Sequence, residues 1–182
     1  MSSDDETPSV AARDDLAGVV DLFDWLSRDE LSRALSELAF KQRAEVDEEA
    51  IAAAIDVAVA EYALAPAPPE ALSEGGETPE SGHERDTDGD ALALAVGPAA
   101  FPSLPDDAAD LPHILDIPER GVDREALSSA VLDRLSTDAT RAIEAEDAAR
   151  LETLADVTYD VEAWAPVDAD GIRERIVDAL DS

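Results

Sequence analysis

The chain has only two histidines, which leaves few places for metal or proton chemistry. His113 lies three residues after Asp110 and three before Asp116. On a helix that spacing brings a carboxylate to either side of an imidazole, an arrangement that could hold a metal ion or move a proton. Metal sites need several converging ligands and a supporting shell. With 45 Asp and Glu in 182 residues, a carboxylate three positions from a histidine is expected by chance. A histidine closing a turn between prolines is the favoured reading, so Asp110, His113 and Asp116 stand only as a weak metal or enzyme candidate. The other histidine, His83, falls in an acidic loop. Paired carboxylates for acid–base catalysis have no contrast against so many acids. There is no cysteine, which excludes disulfides, thiolate catalysis and Cys-type zinc sites. No G-x-S-x-G, Walker A, G-x-G-x-x-G or H-E-x-x-H pattern occurs. No catalytic residue and no cofactor is assigned, and the chain reads as a non-enzyme.

The alternative chemistry is recognition by a surface. Asp47 starts a helix in which Ile51, Ala54, Ile55, Ala58, Val59 and Tyr62 recur with helical period. Its opposite side is also small or apolar at Ala52, Ala53, Val57 and Ala60. A helix apolar on two sides is usually covered on two sides. The simpler cover is the C-terminal half of the same chain; the other is a protein partner or a second copy. DNA contact would need basic side chains that reach phosphates and base edges. The outer side of this helix has none, and the nearby basic residues are Lys41 and Arg43 in the preceding connection. Nucleic-acid binding is therefore disfavoured, and molar salt removes the counterion-release gain that drives it.

The elements that would position these residues follow from periodicity and punctuation. Residues 1–12 read as a disordered tail. A first helix spans about Asp14–Leu26, with Leu16, Val19, Val20, Phe23 and Leu26 on one stripe. Ser27 and Glu30 form a capping box that starts a second helix. After the third helix, Tyr62–Ala65 could extend, and Ala91–Val96 alternates as a strand does. The two would form a hairpin around an acidic, Pro- and Gly-rich loop at 66–90, which has eight acids against Arg85 and reads as a solvated spacer. Three helices followed by a hairpin is the element order of a winged helix.

Residues 98–122 are expected to form a Pro-rich strap, with one helical turn near Leu111–Asp116. Asp123 caps a long helix to about Ala145. A shorter helix follows at Ala148–Ala155, then an ambiguous stretch at Thr158–Trp164. Asp168 caps a last helix with Ile172, Ile176 and Leu180 inward. Tyr159, Trp164 and Phe101 are expected as core anchors, because the chain has few aromatics. The expected fold is mainly α with one small β-hairpin. A winged-helix-like module at 14–97, interrupted by the loop, packs against a helical unit at 123–182.

The formal net charge is −32, and twelve of the thirteen basic residues are arginine. At dilute salt such a charge opposes compaction. At about 1 M the Debye length is about 3 Å and the repulsion is screened. An acidic surface around a patterned core points to a halophilic protein. The start of the chain is acidic and polar, unlike a signal peptide. The longest apolar stretch, Ala50–Ala65, is interrupted by Asp56 and Glu61, so no membrane span is expected and the location reads as cytoplasmic.

Three stretches carry a family likeness: LAGVVDLF at Leu16–Phe23 with LSRALSELAFK at Leu31–Lys41, GPAAFPSLPDDAADLPHILDIPER at Gly97–Arg120, and LADVTYDVEAWAPV at Leu154–Val167. Together they resemble an uncharacterised haloarchaeal family, a domain of unknown function, over about residues 14–181. The acidic stretch 66–90 resembles an insertion in it. The resemblance implies an archaeal cytoplasm rich in salt and carries no activity or site residues. The function expected is a non-catalytic interaction or regulatory module. The alternatives are a winged-helix transcriptional regulator and an enzyme or metal site at His113.

Overall fold

The computed structural model describes residues 10–74 and 92–182. Residues 1–9 of the expected tail and the stretch 75–91 lie outside the described residues, while residues 10–12, expected in that tail, are helical. Helix α1 spans Val10–Asp21, α2 Arg28–Lys41 and α3 Glu48–Ala60. The short α4 spans Leu111–Leu115, followed by α5 at Arg124–Glu144, α6 at Ala148–Trp164 and α7 at Asp170–Leu180. Strands β1 Trp25–Ser27, β2 Leu64–Pro66 and β4 Ala93–Val96 form one antiparallel sheet in the order β1-β4-β2. Strands β3 Leu72–Glu74 and β5 Arg120–Val122 form a second antiparallel pair. The fold is thus mainly α with small antiparallel sheets, and nothing in it departs from a winged-helix-like order.

Local chemistry explains the element starts. Ser27 Oγ accepts from Glu30 N at 3.2 Å, and a Glu30 carboxylate oxygen accepts from Ser27 N at 2.8 Å, completing the capping box. Asp47, Asp123 and Asp147 each accept a backbone N–H three residues on and cap α3, α5 and α6. The expected hairpin is present, with Leu64 opposite Val96 and Pro66 opposite Leu94.

Several boundaries differ from expectation. The first helix ends at Asp21 rather than running to Leu26. Asp24 turns the chain at φ 66°, and Trp25–Ser27 pairs with Ala93–Ala95. A strand partner some 70 residues away overrides the helical stripe. The loop expected from residue 66 begins with order instead: a 3₁₀ turn at Pro69–Ala71 and then β3. The shorter helix and the ambiguous stretch are one continuous α6, because Val157, Thr158 and Val161 extend its buried side and Thr158 Oγ1 donates back to Ala155 O. The last helix starts at Asp170 with Ala169 as its N-cap; Asp168 takes the Asp170 N–H instead of capping a start of its own. Leu180 is exposed, so of that expected stripe only Ile176 is fully buried.

The three-stranded sheet has a core on each face. Leu26, Leu64 and Leu94 point into a cluster with α1, α2, α3 and α4, which includes Val19, Leu31, Ile55 and Leu111. Trp25, Ala65, Ala93 and Ala95 point the other way, into a cluster with α5, α6 and α7 around Leu127, Leu135, Leu154 and Ile176. The period-two alternation of side chains across a strand lets one short sheet serve both.

Candidate interaction surface

The outer side of α3 is not covered by the C-terminal helices. Ala53 and Ala60 are exposed, and Ala52 and Val57 are half-buried. The stripe is bordered by two ion pairs. Arg28 Nη2 meets Asp56 at 2.7 Å and also donates to Ala52 O at 3.1 Å. Arg13 pairs with Glu61 at the other end of the helix. These pairs neutralise Asp56 on α3 and Glu61 at its C-cap, while Glu48 and Glu49 have no ion pair among the described residues and lie in its first turn, where the helix dipole favours them. A shallow groove between α2 and α3 is lined by Asp29, Ser32, Arg33, Ser36, Glu48 and Ile51.

The two basic candidates have different fates. Lys41 Nζ reaches Asp110 Oδ2 at 3.3 Å and Asp107 O at 3.4 Å, so it ties α2 to the strap. Arg43 is exposed, in a turn with φ 56°, and has no ion pair among the described residues. A single free cation remains where two were expected.

Asp110 and His113 lie on the short turn and helix at 108–115, and Asp116 ends that helix at φ 50°. All three are exposed, and Asp110 is engaged by Lys41. The structure does not bring them together. Among the described residues, the three potential ligands whose atoms lie within 4.8 Å of one another are instead Glu162, Asp168 and Asp170. Their oxygens already have partners. Arg173 pairs with Glu162 and Asp170, Glu162 accepts from Ala169 N at 2.9 Å, and Asp168 accepts from Asp170 N at 2.9 Å. The Ala169 amide and the Arg173 guanidinium hold the Glu162 carboxyl below its ordinary range. This arrangement clasps the start of α7.

Two polar hubs were not anticipated. Arg120, with its side chain 5% exposed, bonds both oxygens of Glu30 at 2.8 Å. It also meets Glu74 at 3.3 Å and Trp25 O at 3.1 Å, and its guanidinium lies 3.8 Å from the Trp25 ring centroid. The hydrogen bonds from Arg120 lower the Glu30 pKa. In the second hub, the buried Tyr62 hydroxyl donates to Asp138 at 2.6 Å. Arg134 stacks on the Tyr62 ring at 4.1 Å and donates to Val59 O at 2.7 Å. Burial, with the Asp138 hydrogen bond, raises the Tyr62 pKa. The only sequence hint of the first hub was a lone arginine in a Pro-rich strap. Tyr62 looked like one more residue of an apolar stripe.

Tyr159 and Phe101, expected inside, are 60% and 79% exposed. Tyr159 lies under Arg173 at 4.1 Å. Among the described residues no helix is long and apolar enough to cross a membrane.

No curated protein and no solved structure matches the chain. A family model does match, over residues 14–181, which takes in both cores, both hubs and the outer side of α3. The chain belongs to that family, a family of unknown function (DUF7109).

Proposed function

We propose that the protein is a non-catalytic interaction or regulatory module of a halophilic, archaeal cytoplasm, and that the outer side of α3 with the adjoining β2–β4 hairpin is its binding surface. The observation that carries this reading is that Ala53 and Ala60 are exposed and Ala52 and Val57 only half-buried, while α5, α6 and α7 pack into the core on the other face of the sheet. A small, smooth apolar stripe bordered by neutralised charge suits close approach of a protein surface. The partner is another protein or a second copy.

The test is the double substitution Ala53→Glu with Val57→Glu. Ala53 is exposed and Val57 half-buried, so helicity should hold while a stoichiometric partner, captured by crosslinking in the source cells and identified, is lost, or an oligomer dissociates by light scattering. Unchanged partners and unchanged mass would sink the reading.

A second reading has one supporting observation. With the Pro69–Ala71 turn and β3 set aside, the order α1–β1–α2–α3–β2–β4, with β4 between β1 and β2, resembles that of a winged helix. In that fold α3 commonly enters the DNA major groove, so a transcriptional regulator is the alternative. It would rest on Arg43, because Lys41 is engaged. Lys41→Glu with Arg43→Glu should then abolish retention on DNA, and retention at the parent level would dismiss it. The acids Glu48 and Glu49 at the leading end of α3 weigh against this reading.

A further inference from the structure

The chain has three phenylalanines, and two of them stand in solvent: Phe101 at 79% and Phe40 at 77% exposure. Phe101 belongs to the strap between β4 and α4, and its setting is the more constrained. Pro98, Pro102 and Pro105 fix φ at three positions of that segment. The strap is also fastened to α1 and α2. The backbone N–H of Phe101 donates to Asp14 Oδ1, and that of Ser103 donates to Asp14 O, both at 3.0 Å. The Ser103 carbonyl oxygen lies 1.9 Å from where a Cβ on Gly18 would sit, so only glycine admits it. Further on, Gln42 Nε2 donates to Asp106 O at 3.2 Å, beside the Lys41 contact to Asp107.

Between these fastenings the side chains are placed the wrong way round for a simple crossing. Ala99 and Ala100 pack against the two cores and Ala108 is fully buried, while Phe101 and Leu104 project outward, Leu104 at 50% exposure. An exposed apolar patch with a polar rim marks an interaction site, and Phe101 and Leu104 lie three residues apart on one fastened segment, next to Asp106 and Asp107. The free charge beside them has one sign. Asp106 and Asp107 are exposed and have no ion pair among the described residues. Among the described residues a second copy offers no match: its exposed arginines without a carboxylate partner are Arg33, Arg43, Arg124 and Arg175, on α2, the following turn, α5 and α7. Nucleic acid would set its phosphates against the two aspartates.

We propose that the strap at 98–107 is a second docking surface, independent of α3, which inserts Phe101 and Leu104 into an apolar groove of another protein rimmed by Arg or Lys that meet Asp106 and Asp107. A segment already fastened in place loses little conformational freedom on binding, and proline-flanked extended segments are read in this way by apolar grooves.

The experiment places a photo-reactive benzoylphenylalanine at position 101 of the full chain in the source cells, maps the adduct by mass spectrometry, and titrates the purified partner. The expected result is one dominant adduct, located in a groove with flanking Arg or Lys. Phe101→Ser should then weaken binding at least tenfold, as should Asp106→Asn with Asp107→Asn. Tyr159→Ser, which removes an exposed aromatic elsewhere, should change affinity less than twofold. The absence of any adduct, an adduct to a second copy, or an affinity unmoved by Phe101→Ser would each overturn the proposal. Because Ala53→Glu with Val57→Glu tests a different surface, the two readings fail separately.

Discussion

At Arg120 a single side chain joins α2, β1, β3 and β5. Its two bonds to Glu30 are bidentate and shielded, the geometry in which a guanidinium–carboxylate pair is strongest. Removing one partner of such a pair leaves the other uncompensated. Arg120→Met should therefore cost about 3 kcal/mol in urea unfolding at molar salt. Arg120→Lys should recover only part of that, because an ammonium cannot bond both oxygens in a plane. Glu30 has a depressed pKa, so its contribution is present above the ordinary value of 4.5 and is lost as pH falls through the lower folded-state value. Glu30→Gln should be less stable than the parent at pH 7, with the gap closing below that range. Tyr62 has the opposite sign. Its raised pKa means that the hydroxyl stabilises below the ordinary value of 10 and loses this as pH climbs above it. Tyr62→Phe should cost about 1 kcal/mol at neutral pH and flatten the alkaline limb of an unfolding curve.

What was legible at this scale was what is local. The Ser27–Glu30 box is visible in four residues of sequence. The second duty of Glu30, toward an arginine 90 positions on, is not. Phe101 and Tyr159 misled because apolar character was equated with burial.

Helices were the readable elements. Each of α2, α3 and α5 begins at an acid or serine that accepts a backbone N–H three residues on, and each carries a stripe of helical period. The alternation across Ala91–Val96 marked β4, but strands of three residues give no period of their own. Trp25–Ser27 and Arg120–Val122 are strands because of their partners, β4 and β3. The candidate site was half legible. The two-sided character of α3 could be read from its residues, but which side the rest of the chain would leave open could not. The convergence that His113 needed failed because α4 is a single short helix with exposed flanks. At the scale of an element, the fastening of the strap predicts that Gly18→Ala displaces the Ser103 carbonyl and destabilises by about 1–3 kcal/mol. The midpoint of urea unfolding checks this, and Gly171→Ala, where an added methyl meets nothing, is the control.

Across the whole molecule, charge and packing oppose each other. The formal charge of −32 is spread over surfaces that enclose two modest cores built largely of Leu, Val and Ala. At about 10 mM salt the Debye length grows to about 30 Å, comparable with the protein itself. The fold should therefore unravel as salt is withdrawn. Trp25 reports on the sheet and Trp164 on the end of α6. Both should redden together, with loss of helicity, because the sheet that links the cores is common to both. Fluorescence and helicity unchanged down to millimolar salt would contradict the halophilic reading.

The shared sheet also bears on heredity. A gene fragment ending after β4 would encode Trp25, Ala65, Ala93 and Ala95 with nothing to lie against, and one beginning at α5 would lack the floor on which its helices rest. Neither half is a piece that recombination could graft onto another gene and expect to fold. The family model spans both cores, over residues 14–181.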